Sequence, residues 1–147
     1  MEKRINIHAL DPKAYKAMSG LEAYLSQTDL SKTIKELIKI RSSQINNCAF
    51  CINMHTKDAL ANGETQQRIF LLSAWREAPD LFSEQEQVVL EMTEEITLIH
   101  QCGLRSETYQ KALAVFSENQ VAQIIMAIVT INSWNRIAVS THMPISD

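Results

Sequence analysis

The sequence predicts an all-α fold, one domain over residues 1–147 built from six or seven helices. Three observations lead there. Only 3 glycines and 3 prolines serve 147 residues, too few for the many tight turns of a β-rich fold. No stretch alternates apolar and polar residues over strand length, and Ile5 to Ile7 is too short to count. Helix start and stop signals recur along the chain at helical intervals. With 46% hydrophobic and 21% charged residues, the chain is globular and long enough to bury a core.

Taken in order, Asp11-Pro12 reads as an N-cap followed by proline at the first helical position, opening a helix to about Ser26. Asp29 or Ser31 caps the next, in which Ile34, Leu37, Ile38 and Arg41 repeat at helical spacing, and which fades near Asn46-Asn47. A third helix begins at about Cys48 and stops at Asn62-Gly63. Thr65 caps a fourth, holding Ile69, Phe70 and Leu72 and ending before Pro79. Ser83 with Glu86 is a capping box for a helix closed by Gly103, and Ser106 starts a shorter one. Ser117 with Gln120 is a second capping box, opening a helix to about Ser140. Its run from Val121 to Ile131 is apolar in nearly every direction. Such a helix must be enclosed on all sides, by a central place in the core or by a neighbouring subunit.

The net charge of -3, with no run of Lys or Arg, excludes nucleic acid as an expected partner. No apolar stretch follows the charged start, Met1 to Arg4, so no secretory leader is expected. The longest apolar block, Ile124 to Val129, is far below the roughly 20 residues that cross a bilayer. A soluble, cytoplasmic chain without a membrane partner is expected. Three cysteines are odd in number and too few for a disulfide framework, and in a reducing compartment a close pair is catalytic or metal-binding more often than structural.

That pair is Cys48 and Cys51, at the start of the third helix. Unpaired N–H groups and the positive end of the macrodipole stabilise a thiolate there. Residues three apart on a helix have Cβ atoms about 5–6 Å apart, whereas a relaxed disulfide needs about 3.5–4.5 Å. A Cys48–Cys51 bond therefore needs local adjustment and is easily reduced, which suits cycling. His55 lies on the same face one turn after Cys51 and can exchange a proton with a thiol. Spacing alone does not place Glu36, on the preceding helix. Other readings of the pair are half of a zinc site, for which only His55 offers a third ligand, and two inert core cysteines. A c-type haem site fails because Ile52, not histidine, follows Cys51, and a thioredoxin fold fails for lack of strands.

The run Cys48-Ala49-Phe50-Cys51-Ile52-Asn53-Met54-His55, with Glu36 twelve residues before Cys48, resembles the active-site signature of AhpD-like alkylhydroperoxidases. These belong to the all-helical carboxymuconolactone decarboxylase superfamily. The later Asn132-Ser133-Trp134-Asn135-Arg136-Ile137-Ala138-Val139 is similar to that family's closing helix, and the likeness spans about residues 30–139. The resemblance implies hydroperoxide reduction coupled to cycling of the dithiol: Cys51 attacks, Cys48 resolves the product as a disulfide, and Glu36 and His55 relay protons. An external dithiol or protein reductant is expected to restore the pair, and no cofactor or metal is expected. It also implies a homo-oligomer, a trimer or hexamer. Some members carry a second histidine just before the second cysteine, where this chain has Phe50, which shortens the relay. A lyase acting on a carboxymuconolactone-like acid and a non-enzymatic redox sensor are the rival readings, and the lyase has no evident use for a dithiol. Cys102 reads as structural, and His8, His100 and His142 as surface or packing residues. Asn132, Asn135 and Arg136 are polar on an apolar helix; they need partners if buried and are assigned no chemistry.

Overall fold

The structure, a computed structural model, describes residue 2 and residues 4–145, so Met1 and Lys3 of the charged start lie outside it. Among the described residues the chain forms α1 (Ile7–Leu10), α2 (Pro12–Ser26), α3 (Lys32–Ile45), α4 (Ala49–Ala61), α5 (Gln66–Leu71), α6 (Glu84–Thr97), α7 (Ser106–Val115) and α8 (Glu118–Thr141), with no strand. The all-α expectation holds. The helix beyond those anticipated is α1, a single turn capped by the Asn6 side chain and too short to show a period.

The anticipated caps close as their chemistry requires. Asp11 accepts from the Ala14 N–H, Ser31 rather than Asp29 accepts from Ile34, and Thr65 accepts from Arg68. Both capping boxes, Ser83 with Glu86 and Ser117 with Gln120, pair reciprocally. Two helix ends fall elsewhere. Helix α6 stops at Thr97, well before Gly103, and turns follow. Beyond Thr97, Leu98 is half-buried and Ile99 is exposed. The helix after Thr65 gives way to a 3-10 segment, Leu72–Glu77, broken at Ala74 (φ -120°, ψ 28°). The break turns Trp75 into the core, where its Nε1 donates to Glu94 Oε1 at 2.9 Å.

Helix α3 is the centre of the molecule, packing on α4, α6 and α8. Its two buried edges feed two cores. Ile34 and Ile38 join α6, α7 and α8 in the larger cluster, around Val89, Met92, Ile124 and Ile128. Leu37 and Ile40 join Ala59 of α4, Leu72, Trp75 and Leu90 in the smaller one. Deleting a fully buried aliphatic such as Ile38 costs about 2–5 kcal/mol, so α3 is held rigidly, and with it the joint to α4. Helix α8 is covered by α2, α3, α4, α6 and α7 over most of its girth. The enclosure expected of it is incomplete within one chain, because Ala122, Val129, Arg136 and Val139 face outward. No helix of the described residues is long and apolar enough to cross a membrane.

Candidate active site

The site begins with how α3 ends. Asn47 has φ 54°, the left-handed conformation that asparagine tolerates better than most residues. The Cys48 N–H then donates to Ser43 O at 2.9 Å and the Asn47 N–H to Gln44 O at 3.3 Å, the paired bonds of a Schellman closure. This closure leaves Cys48 as the N-cap of α4, so the helix stop and the next helix start share two residues. The Cys48 sulfur accepts from the Cys51 N–H at 3.3 Å. Of the two cysteines, the helix terminus therefore acts most directly on Cys48.

The joint is fastened by the polar residues of α8 for which the sequence showed no role. Asn46 Nδ2 donates to Asn132 Oδ1 at 3.0 Å and to Asn135 Oδ1 at 2.9 Å. Asn135 Nδ2 donates to Ser43 Oγ, and Asn132 Nδ2 to Thr97 Oγ1, each at 3.0 Å. Arg136 Nη1 donates to Asn132 Oδ1 at 3.1 Å from an exposed position. These groups buttress the turn before Cys48 and satisfy one another inside the protein.

Cys48 and Cys51 are joined as a disulfide with a Cα separation of 5.4 Å. Both are buried, 2% exposed, against Ala138 of α8, with Phe50 and Met143 packed around them. Cys102 is free and exposed. A cleft of about 810 Å³, lined by Ile5, Tyr15, Ile137 and Met143 among others, reaches Ala49 beside Cys48.

His55 follows one turn after Cys51 and is buried. Its Nδ1 lies 3.3 Å from Glu36 Oε2 and 3.6 Å from Asp58 Oδ2. The 3.3 Å contact is close but off line, so neither Glu36 Oε2 nor His55 Nδ1 has an aligned hydrogen-bond partner. Glu36 Oε1 accepts from Lys39 Nζ at 3.1 Å. Burial opposes ionisation of Glu36, but His55 and Lys39 outweigh it and hold the carboxyl below its ordinary range. The structure thus brings Glu36 and His55 together. It adds Lys39 and Asp58, each three residues along a helix from its partner, a spacing that could have suggested both. His8 stacks near Tyr15 with ring centroids 4.5 Å apart, and His142 Nδ1 lies 3.3 Å from Glu2 O; both line the cleft that reaches Ala49, whereas His100 is exposed.

Comparison with known proteins identifies the family and the fold. A family model for the carboxymuconolactone decarboxylase family matches residues 12–95. The uncharacterised protein YdfG of Bacillus subtilis is 43% identical over 140 residues, 95% of each chain. A crystal structure from Agrobacterium tumefaciens, of a protein of unknown function with antioxidant defence protein AhpD as its suggested role, superposes with a TM-score of 0.95 at 38% identity, covering 99% of both chains. A debrominase shares the fold at 17% identity, with a TM-score of 0.82 over 94% of this chain and 74% of that one. The chain belongs to the carboxymuconolactone decarboxylase family and has the AhpD-like helical fold.

Proposed function

We propose that the chain works as one AhpD-like domain that reduces hydroperoxides by cycling the Cys48/Cys51 pair. The observation that supports this most is a buried Cys48–Cys51 disulfide at a helix start, with His55 on the next turn and Glu36 of α3 facing it. In the reduced protein His55 takes the Cys51 proton. The Cys51 thiolate attacks a peroxide oxygen, the O–O bond breaks, and the alkoxide leaves with the proton held by His55. Cys51 is then a sulfenic acid. The Cys48 thiolate attacks its sulfur, the S–O bond breaks, and hydroxide takes a proton to leave as water. An external dithiol or protein reductant returns two electrons and two protons.

The two sulfurs have different supports in this scheme. The Cys51 N–H and the α4 terminus favour Cys48 as a thiolate, the better leaving group when a reductant opens the disulfide. A helix terminus supplies typically 0.3–1 kcal/mol, and one pKa unit is about 1.4 kcal/mol. Cys51 thus needs His55 to ionise near neutrality. The exposed stripe of α8, with Val129 and Val139, supports a homo-oligomer, a trimer or hexamer as the family resemblance implies. A dithiol chemistry of this kind belongs in a reducing, cytoplasmic setting. Peroxide consumption with dithiothreitol is the test: wild type turns over many equivalents and Cys51→Ser none. Equal rates refute the peroxidase, and a single equivalent oxidised without turnover assigns a redox sensor instead.

A further inference from the structure

Beside the dithiol, one ligating atom each from Glu36, His55 and Asp58 lies within 4.8 Å of the others. His55 is 6% exposed, and its Nδ1 is buried without an aligned partner, as is Glu36 Oε2 facing it. Buried polar atoms left in this way cost free energy until something pairs with them. We propose that Glu36, His55 and Asp58 form a binding site for a zinc ion. Zinc takes imidazole nitrogen at about 2.0–2.1 Å and carboxylate oxygen at about 2.0–2.2 Å in a tetrahedron. Ligands at those lengths lie about 3.3–3.6 Å apart along a tetrahedral edge. Two of the three edges have these lengths, His55 Nδ1 standing 3.3 Å from Glu36 Oε2 and 3.6 Å from Asp58 Oδ2, and the third, between the two carboxylates, lies within 4.8 Å. Calcium and magnesium prefer all-oxygen sets, so the imidazole selects a transition ion.

The surroundings agree in charge and access. The Lys39 ammonium bonds Glu36 Oε1 and leaves Oε2 to the ion. The Asp58 side chain is 54% exposed and opens the site to solvent while the other two ligands stay buried. The fourth position falls to water or another small ligand. An ion on His55 Nδ1 excludes a proton there, so zinc and the proposed relay compete for one atom. That consequence rests on the peroxidase reading; the binding does not.

The test uses the full, tag-free chain with Cys102→Ser and the Cys48–Cys51 disulfide closed, so that no free thiol is present. Zinc is titrated by calorimetry, and cobalt is titrated while its absorption spectrum is followed. The expected result is one ion per chain with micromolar affinity, no thiolate-to-cobalt charge-transfer band, loss of binding in His55→Gln, and binding at least about tenfold weaker in Asp58→Asn. Asp58 is half exposed, so its substitution keeps the test decisive even if His55→Gln does not fold. No stoichiometric binding, or binding that both variants leave unchanged, overturns the site. A chain that binds zinc yet never consumes peroxide keeps the site and loses the relay.

Discussion

Asn135→Ala strikes the brace that holds the turn before Cys48. Asn135 is 1% exposed, accepts from Asn46 Nδ2 at 2.9 Å and donates to Ser43 Oγ at 3.0 Å. Each lost bond is worth about 1 kcal/mol net, and stranding the fully buried Ser43 hydroxyl costs about 1–3 kcal/mol. Asn46 keeps its second acceptor, Asn132 Oδ1, which limits the damage on that side. The sum is about 3 kcal/mol. For a chain of 147 residues, at roughly 2–4 °C per kcal/mol, it lowers Tm by about 6–12 °C. Thermal and urea unfolding of the oxidised protein measure it, with Ser133→Ala as the control. That hydroxyl bonds only its own helix, to Val129 O, in an exposed setting, and its loss stays within about 0.5 kcal/mol. Asn46→Ala combined with Asn135→Ala costs less than the two singles added, because they share one bond. A Tm drop below about 2 °C, or strict additivity of the pair, refutes the brace.

His55→Ala and Glu36→Gln each slow peroxide reduction, His55→Ala by about 10²-fold or more, and in a Cys48→Ser background each shifts the pH profile of Cys51 alkylation by iodoacetamide upward; an unmoved profile in both makes the two residues structural. Acid should unfold the protein through its buried carboxylates. Glu94 is opposed by burial but held below its ordinary range by Arg76, Trp75 and Arg41, and Glu86 by Arg68 and Ser83. A lowered folded pKa means that the unfolded chain takes up the proton first. Their stabilisation is therefore complete above the ordinary glutamate value of about 4.3 and lost as pH falls through the lowered value. Urea midpoints fall below about pH 4, and Glu94→Gln flattens that fall while lowering stability at neutrality; an unchanged slope removes Glu94 from the account. Light scattering should show an assembly several times the 16.7 kDa chain, and Val129→Glu on the α8 stripe should dissociate it; a wild-type monomer at micromolar concentration refutes the α8 interface.

What could be read from sequence was what local chemistry decides. Asp11-Pro12, the two capping boxes and Asn62-Gly63 mark helix ends through contacts within a few residues, and the structure keeps each of them. Cys48, Cys51 and His55 were legible together because one helix spaces them. Glu36 was not placed by spacing, because its distance from His55 depends on a left-handed Asn47 and on Asn46 being held by α8, across the whole chain. The break at Ala74 was hidden for a similar reason. Local propensity continues that helix, and the burial of Trp75 against Glu94 overrides it. The early end of α6 is the same lesson in reverse, since Ile99 looks like a core position until no neighbour is there to cover it.

The cover over the sulfur pair comes from Ala138 and Met143, far later in the chain than Cys48 and Cys51. Met143 is itself set by a Schellman closure of α8, its N–H donating to Ala138 O at 3.0 Å beyond a left-handed His142. During synthesis, therefore, both thiols leave the ribosome long before their roof does. A nascent chain halted ahead of Ala138 presents an open dithiol to every oxidant and thiol around it.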